Sequence, residues 1–555
     1  MKSLTTNIFL LFIIFSLSSC GVKRSLKDRP DLTRMSNIDT VRIKHNDSLY
    51  TIGKNTLLKN KYGVWELYIE GSALERGLIN GSLTQELMAK QEIAIMDKIE
   101  SLVPSGAYQN FLSKMIKFFN RKMYKYVPEE YKKEIYGISR FSLRKYDDFA
   151  PPYVRALYLH GAHDIGHALQ DLMLVGCTSF AAWDAKTTDG ELLLGRNFDF
   201  YAGDDFAEEK IVAFINPDKG HKFMMYTWGG FIGAVSGMNS EGLTVTINAG
   251  KSKIPLVAKT PISLVAREIL QYAGTLEEAI AIAKNREVFV SEAIMVGSAI
   301  DHKAVLIEVA PHNFGVFELE NSDHLVCSNH FQSEAYKGDK RNVKAIKESH
   351  SEYRYERMQE LIAQNEELDP KKAVEILRNR EGLEGEKIGY GNEKAINQLL
   401  AHHGIVFKPE ERKVWVSANP YQLGAFVAYD LDSVFNKFEE GNVTTSVSAL
   451  EENIPESDFV NSVKFKNYET YRTLSHNIEL SILGEQFISE EKLLKLQKLN
   501  PYYWKAYRLA GDYYYTKHDY KKAIIKYKQA LRLEVTTLPD EQHLEKMIRK
   551  SYRKL

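Results

Sequence analysis

A single cysteine lies in a setting suited to covalent chemistry. Cys177 is one of only three cysteines in 555 residues, and it stands in the run Val175-Gly176-Cys177-Thr178-Ser179-Phe180. A second run, Gly195-Arg196-Asn197-Phe198-Asp199-Phe200, follows closely. Cleaving an amide needs a nucleophile, a base, donors for the oxyanion and an acid for the leaving amine, and a thiol is intrinsically the strongest common nucleophile. Cys177 is therefore a candidate nucleophile for chemistry of this kind.

The base that would activate this thiol is not a recognisable histidine. No Cys-Gly-Ser-Cys-Trp context surrounds Cys177, and no histidine follows it in a papain-like frame. An N-terminal cysteine has another base, its own α-amine, whose reference pKa of about 7.7 to 8 leaves it partly neutral near pH 7. The Gly176–Cys177 bond must then be broken first, and Gly176 has no side chain to hinder attack on its carbonyl. Two alternatives stay open: His330 or His402 acts as the base, or Cys177 forms a disulfide with Cys327.

Gly-Cys-Thr-Ser-Phe followed at this interval by Gly-Arg-Asn-Phe-Asp resembles the C45 family of autoproteolytic acyltransferases and amidohydrolases, typified by penicillin acyltransferases. Choloylglycine hydrolases and acid ceramidases resemble it more distantly. In these N-terminal-nucleophile (Ntn) hydrolases an internal cysteine becomes a new N-terminus and the nucleophile. The resemblance covers roughly residues 60–435. It implies a cut between Gly176 and Cys177, with the two resulting chains, 20–176 and 177–555, held together by the shared fold.

The resemblance also implies a role for each of several polar residues. The carboxylate of Asp199 would hold the freed α-amine while Arg196 lies near the thiol. Oxyanion donors would be Asn248, reached from Gly237-Met238-Asn239-x-x-Gly242-Leu243, and Asn329 in Ser328-Asn329-His330-Phe331. Arg354 in Ser351-x-x-Arg354-Tyr355 would support the site electrostatically. No metal or organic cofactor is needed for this chemistry.

The elements that must position these residues change character at Cys177. Before it the pattern predicts a strand over 64–71, a helix that starts in a Ser72–Glu75 capping box, and more helix to residue 172. After it the pattern predicts a hairpin over 178–196, then strand clusters separated by helix pairs, at 262–272 and 276–284 and at 351–364 and 370–379. That order indicates an α+β fold. The resemblance supplies the four-layer αββα sandwich.

Three histidines ahead of Cys177 raise the question of a metal. His160, His163 and His167 share one face of the predicted helix, with Asp164 and Asp171 nearby. Their spacing matches no zinc signature. Core or polar-network histidines are the favoured interpretation, and no metal site is predicted.

The N-terminus resembles a bacterial lipoprotein signal. Lys2 precedes a short apolar run and then Leu17-Ser18-Ser19-Cys20-Gly21. About ten apolar residues are too few to span a bilayer. We expect a signal peptide over 1–19, lipidation at Cys20 and an extracytoplasmic, membrane-anchored protein, with an ordinary cleaved signal as the alternative. A flexible tether over 20–60 would lead to an α-chain segment over 61–176 and a β-chain core over 177–440.

The C-terminal region is predicted to be helical and to lie outside the catalytic core. Over residues 485–555 small and aromatic residues resemble one tetratricopeptide repeat, and a plain helical hairpin is the alternative. This appendix would dock on the core or on a protein partner. Equal counts of 73 Lys+Arg and 73 Asp+Glu give no net field that would attract nucleic acid.

The leading hypothesis is an Ntn amidohydrolase or acyltransferase that acts on a small acylated amide or peptide through an acyl-Cys177 thioester. The alternative from another class is a lipid-anchored binding or scaffold protein with an inactive Ntn domain.

Overall fold

The computed structural model of the protein describes residues 21–32, 38–102, 106–161, 174–201, 203–251 and 257–555. The strands are β1 (Ile43–Asn46), β2 (Leu49–Ile52), β3 (Asn55–Lys59), β4 (Trp65–Gly71), β5 (Leu174–Val175), β6 (Thr178–Ala182), β7 (Leu193–Phe198), β8 (Phe200–Tyr201), β9 (Ile211–Pro217), β10 (Phe223–Thr227), β11 (Ser236–Asn239), β12 (Leu243–Ala249), β13 (Glu292–Ser298), β14 (Lys303–Ala310), β15 (Asn313–Phe317), β16 (His324–Cys327), β17 (His403–Lys408), β18 (Lys413–Ser417) and β19 (Phe426–Asp430).

In the described part of the chain from β4 onward the α-helices are α1 (Ala73–Leu83), α2 (Gln85–Leu102), α3 (Gly106–Asn120), α4 (Glu129–Ser139), α5 (Pro152–His160), α6 (Asp204–Glu208), α7 (Ile262–Tyr272), α8 (Leu276–Asn285), α9 (Lys340–Glu348), α10 (Ser351–Ala363), α11 (Pro370–Leu377), α12 (Leu431–Glu440), α13 (Val463–Leu483), α14 (Glu490–Leu499), α15 (Trp504–Thr516), α16 (Tyr520–Ala530) and α17 (Leu538–Tyr552). Within the described residues, no helix combines the length and the apolar character needed to cross a membrane.

Two large sheets form the centre of the molecule. The first has eleven strands in the order β1-β2-β3-β4-β9-β10-β11-β12-β13-β14-β15, and the second has six in the order β16-β6-β7-β17-β18-β19. Neighbouring strands are antiparallel except β4 and β9, which pair in parallel from Trp65 opposite Ile211 to Gly71 opposite Pro217. The larger sheet therefore joins strands from both sides of Cys177.

Four layers are defined by three apolar cores. The inner faces of the two sheets share one core, in which Phe214 and Met295 of the larger sheet lie in one cluster with Phe407 and Val416 of the smaller. In the second core, five helices pack on the outer face of the larger sheet, namely α1, α4, α5, α7 and α8. A third packs α10 and α11 on the outer face of the smaller sheet. The predicted α+β class is confirmed, and the layers follow the order helix, sheet, sheet, helix.

The first helix packs at close range because of its glycines. A Cβ on Gly77 of α1 would lie 2.1 Å from the Glu134 carbonyl oxygen of α4, so only glycine permits this approach. Beside it, Arg76 Nη2 donates to Glu134 Oε2 at 2.8 Å with both side chains buried. The predicted capping box is present, since the Glu75 carboxylate accepts from the Ser72 N–H at 3.2 Å.

The expectation of a tether over residues 20–60 is wrong for residues 43–59. These form β1, β2 and β3, which extend the larger sheet from β4. The strands are only four or five residues long, which is too short for alternation to stand out in the sequence. Their pairing with β4, through contacts such as Leu57 opposite Leu67, gives them a stability that local pattern cannot show.

The C-terminal region is helical, as predicted, and it packs on the preceding α+β domain. Its helices start earlier than expected, at α13, and its apolar core includes Leu399 and Leu423 from the preceding domain. Helices α15 and α16 form a hairpin in which a Cβ on Gly511 would lie 2.6 Å from the ring of Tyr527. The likeness to a tetratricopeptide repeat stays a prediction.

Candidate active site

Cys177 lies at the junction between two strand pairs. It follows β5, which pairs with β8, and precedes β6, which pairs with β7. The Gly176 N–H donates to the Asp199 carbonyl oxygen at 3.1 Å, and Ser179 is the register partner of Arg196. The predicted hairpin therefore brings Arg196 and Asp199 beside Cys177, because antiparallel register fixes which residues face each other.

The Arg196 guanidinium is held rigidly against the thiol. Nη2 lies 3.5 Å from Cys177 Sγ and also donates to the Ile247 carbonyl. Nη1 donates to the Val235 carbonyl at 3.0 Å and to Ser236 Oγ at 2.6 Å. A buried cation in this position favours negative charge on the sulfur.

Burial nevertheless keeps the thiol neutral in the intact chain. The Cys177 side chain is 1% exposed. Loss of hydration raises the pKa of its thiol to about 11, although the Arg196 charge opposes the rise. The thiol must therefore give up its proton during the attack rather than before it.

Asp199 is a buried carboxyl with unused acceptor capacity. It is fully buried, and burial raises its pKa to about 7 against the opposing charges of Arg354 and Arg196. Oδ2 accepts from Gln398 Nε2 at 3.4 Å. Oδ1 accepts no hydrogen bond from the residues that the structure describes. Such an oxygen is free to bind a new donor at the site.

Arg354 reaches the nucleophile from helix α10. Its Nη1 donates to the Cys177 carbonyl at 2.7 Å and also to Thr178 Oγ1. Its Nη2 donates to Asn329 Oδ1 at 2.6 Å. Burial lowers the pKa of this guanidinium to about 10, so it stays charged at neutral pH. Arg354 thus ties the backbone at Cys177 to a predicted oxyanion donor.

The two predicted oxyanion donors are both engaged in the intact chain. Asn329 Nδ2 donates to the Ala249 carbonyl at 2.9 Å. The Asn248 amide bridges strands, with Oδ1 accepting from Ser179 Oγ at 2.8 Å and Nδ2 donating to the Cys327 carbonyl at 3.3 Å. The Asn248 side chain is therefore structural here, and its role as a donor stays a prediction.

Along β12 the backbone N–H and C=O groups of successive residues point to opposite sides, so their direction indicates which N–H lies on the side of Arg196. The Ile247 N–H donates to the Val235 carbonyl at 3.2 Å, and the Gly250 N–H donates to Ser291 on the opposite side at 2.8 Å. Successive residues of a strand point their backbone groups to alternate sides. The Ala249 N–H, rather than that of Asn248, therefore lies on the side of Arg196.

Gln398 is a site residue that the sequence analysis missed. Its Nε2 donates to the Gly176 carbonyl oxygen at 2.8 Å as well as to Asp199. It lies in a loop between α11 and β17, more than two hundred residues from Cys177. No motif surrounds it, so no local signal could have identified it.

The histidines considered earlier have other partners. His330 Nδ1 lies 2.9 Å from Ser351 Oγ, and His402 Nδ1 lies 2.9 Å from His403 Nδ1. Burial lowers the pKa of His330 to about 4. His160 Nε2 accepts from the Ile232 N–H at 3.0 Å, in keeping with a polar-network role. His163 and His167 lie outside the described residues.

The cysteines considered earlier as partners are not bonded to each other. Cys177 and Cys327 are both buried free thiols, so the disulfide alternative is wrong for this structure. Cys327 Sγ instead lies 3.4 Å from the Ser328 carbonyl oxygen. Cys20 lies outside the described residues, and its lipidation stays a prediction.

The sequence matches one known family. Residues 185–420 match the model of the family described as acyl-coenzyme A:6-aminopenicillanic acid acyl-transferase. The match begins after Cys177 and contains the other residues gathered at the site, namely Arg196, Asp199, Asn248, Asn329, Arg354 and Gln398.

Curated relatives are distant. An uncharacterized protein of Archaeoglobus fulgidus is 28% identical over 277 residues, which is 46% of this chain and 45% of the relative. Protein dcd1B of Dictyostelium discoideum is 25% identical over 295 residues, which is 50% of this chain and 55% of the relative. The chain thus spans about half the length of the curated relatives it matches.

Similar solved structures include a Caenorhabditis elegans ortholog of N-acylethanolamine-hydrolyzing acid amidase, which is 20% identical in sequence and has a TM-score of 0.31. The match covers 42% of this chain and 93% of that chain. A conjugated bile acid hydrolase from Clostridium perfringens is 16% identical in sequence and has a TM-score of 0.31. That match covers 46% of this chain and 92% of the other chain. At TM-scores this low neither structure bears on the residues of the present site.

Proposed function

We propose that the protein is a self-activating amidohydrolase or acyltransferase, and the match of residues 185–420 to the model of the acyl-coenzyme A:6-aminopenicillanic acid acyl-transferase family supports this. It cuts its own chain between Gly176 and Cys177. The new N-terminal Cys177 then attacks a small amide and carries its acyl group as a thioester.

One observation carries this proposal. Arg196, Asp199 and Arg354 converge on the Gly176–Cys177 junction from the end of β7 and from helix α10, and all three are buried there. Buried charged groups are costly unless their partners or their function require them. A thiol, two guanidinium groups and a carboxyl around one peptide bond are suited to breaking that bond and then using the products.

In the proposed self-cleavage the Cys177 thiol attacks the Gly176 carbonyl carbon. The bond between that carbon and the Cys177 nitrogen breaks, and the nitrogen gains one proton, which balances the proton that the sulfur loses. Gly176 is left as a thioester on Sγ, which water hydrolyses to a carboxylate and a thiol. The product is an N-terminal cysteine.

In the mature enzyme the α-amine of Cys177 serves as the base. Its reference pKa of about 7.7 to 8 leaves enough neutral amine near pH 7 to take the thiol proton. The unused Oδ1 of Asp199 is the acceptor that would orient this amine. Asn329 can donate to the oxyanion once its amide releases the Ala249 carbonyl.

The fate of the acyl group decides between the two activities. Water as acceptor gives hydrolysis and an amine gives transfer. We expect hydrolysis, because the predicted lipoprotein signal would place the protein outside the cytoplasm, without a ready supply of acyl-coenzyme A. N-acyl amino acids, acylated amines, bile-salt conjugates and small peptides are the candidate substrates. A scaffold protein with an inactive domain is less favoured, because such a role would not require the buried charges at Cys177.

The test is the covalent state of the purified protein. We expect wild type, produced from residue 21 onward, to yield two chains that end at Gly176 and begin at Cys177, as measured by intact mass. They should co-elute under native conditions, since β4 and β9 lie on opposite sides of the cut and pair over seven residues. Cys177→Ala should give one uncut chain.

Cys327→Ala is the matched control, because it removes the other buried thiol and should leave the cut unchanged. A single uncut wild-type chain would contradict the proposal.

A further inference from the structure

The side chain of Gln398 is placed on the bond that the proposed function would break. Its Nε2 lies 2.8 Å from the Gly176 carbonyl oxygen, and its side chain is 1% exposed. The fit is close, since a Cβ on Gly176 would lie 2.4 Å from that nitrogen. A buried amide donor on a peptide carbonyl polarises it, and it binds more tightly to an oxyanion than to a neutral oxygen.

The loop that carries Gln398 is fixed on both sides. The Asn397 N–H donates to the Asn379 carbonyl at 2.7 Å, and the His402 N–H donates to the Phe198 carbonyl at 2.9 Å. Asn197, on strand β7, donates to the Ile396 carbonyl at 3.0 Å. The loop is therefore anchored to the strand that carries Arg196, and the amide of Gln398 is preorganised.

The backbone turns sharply just after Gln398. Leu399 is fully buried and has a φ of 54°, a left-handed conformation that is strained for a leucine. The surroundings maintain it, since the Leu399 carbonyl accepts from Tyr468 Oη at 3.4 Å. Strain of this kind, next to a side chain aimed at a scissile bond, is consistent with a selected geometry.

We propose that Gln398 is a catalytic residue of self-cleavage, whose Nε2–H stabilises the negative charge on the Gly176 oxygen when the Cys177 thiol attacks. This inference rests on the proposed self-cleavage. As the bond from Sγ to the Gly176 carbon forms, the carbonyl electron pair moves to the oxygen that Gln398 binds. As the carbon–nitrogen bond breaks, that pair restores the carbonyl of the thioester. The proton lost by the sulfur is matched by the proton gained by the nitrogen.

The proposal assigns the transfer of that proton to the carboxyl of Asp199. Its Oδ2 shares the amide of Gln398 at 3.4 Å, and its carboxyl contributes to the electrostatic environment of the thiol. Water then hydrolyses the thioester, which leaves a carboxylate on Gly176. Gln398 therefore acts on the precursor, and its donor is needed before any external substrate binds.

The experiment follows the rate at which newly made chains are cut. Wild type, Gln398→Met and Gln398→Glu are synthesised in a cell-free system, and the 177–555 fragment is quantified over time on denaturing gels. Met keeps the length of the side chain and has no donor, and Glu keeps its shape and has only acceptors once its carboxyl is ionised. We expect both to be cut about 10²- to 10³-fold more slowly, the usual effect of removing one oxyanion donor.

Gln422→Met is the matched control. Gln422 is also fully buried, and its amide nitrogen and oxygen have no hydrogen-bond partner among the described residues. It should be cut at the wild-type rate. Melting temperatures of the same variants in a Cys177→Ala background show whether each variant folds. If Gln398→Met does not fold, the cutting rate of Gln398→Glu tests the proposal.

The possible outcomes distinguish a failure of the role of Gln398 from a failure of self-cleavage itself. Slow cutting of both Gln398 variants with normal cutting of Gln422→Met supports the proposal. Cutting of the folded Gln398 variants at the wild-type rate overturns the role of Gln398 and leaves self-cleavage intact. Failure of the wild-type chain to cut overturns both.

Discussion

Charge is unevenly distributed around the Gly176–Cys177 bond. Arg196 and Arg354 are buried and stay charged, although burial lowers the pKa of each. The thiol is neutral in the intact chain, and the pKa of Asp199 is about 7. Two guanidinium groups therefore lie against the reacting segment before any reaction, while Asp199 and Glu292 are the carboxyls that act on the thiol. Such an environment favours the anions that form during attack, and it needs no reorganisation when they appear.

The titration of Asp199 gives a prediction about stability. Its carboxyl keeps a proton up to about pH 7 in the folded chain, whereas an unfolded aspartate loses it near pH 3.9. Folding therefore binds a proton between these values, and the free energy of unfolding falls as pH rises through this window. The full effect is at most about 4 kcal/mol, at 1.36 kcal/mol per pH unit of difference.

In a Cys177→Ala background, Asp199→Asn should raise the free energy of unfolding at pH 8 and lose this advantage below about pH 4. Urea titrations followed by circular dichroism at several pH values measure it. The exposed Asp205→Asn is the control and should leave the pH dependence unchanged. Destabilisation by Asp199→Asn at pH 8 would mean instead that a charged carboxylate is held by the two arginines.

At the scale of elements, the site depends on a hairpin and on a helix pair behind the larger sheet. Register in the β6–β7 hairpin places Arg196 and Asp199. Helices α1 and α4 cover the outer face of the sheet that β4 shares with β9. Their close approach depends on Gly77, at which any side chain would meet backbone. Backbone cannot rotate away as a flexible side chain can.

Gly77→Ala should therefore destabilise the fold, although alanine is the better helix former by about 1 kcal/mol. Overpacking of this kind costs about 1–3 kcal/mol, and the close backbone contact argues for the upper end. Gly106→Ala in helix α3 is the control, since a Cβ there meets nothing within 4 Å. Thermal unfolding of the uncut Cys177→Ala chain measures both, and equal melting temperatures would contradict the packing argument.

At the scale of the whole molecule, the C-terminal helices support the loop that carries Gln398. Asn500, just after α14, donates through Nδ2 to the Tyr390 carbonyl at 2.8 Å and accepts from the Tyr390 N–H at 3.1 Å. Asn392 of the same loop donates to the Glu534 carbonyl at 2.9 Å. The helical region is thus connected to the loop that carries Gln398.

Asn500→Ala should lower stability by about 2 kcal/mol, since two partly buried hydrogen bonds are lost at about 1 kcal/mol each. It should also slow self-cleavage several-fold, because the loop of Gln398 is less firmly held. Gln497→Ala is the control, since its partner Lys526 lies within the C-terminal helices. Urea unfolding and the cell-free cutting assay measure the two effects. Slowing of both variants to the same degree would show that the helices act only through general stability.

Local sequence identified the candidate nucleophile, the Arg196–Asp199 element, the change from helical to β pattern at Cys177 and the α+β class. Each is encoded in neighbouring residues, through spacing, turn chemistry or periodicity. Tertiary structure alone decided the rest. It brought Gln398 to the Gly176–Cys177 bond, engaged the Asn248 amide between strands, and added residues 43–59 to the larger sheet. These contacts join residues that are distant in sequence, or strands too short to show a hydrophobic period. Burial, strand register and packing determine such contacts, and no local sequence pattern indicates them.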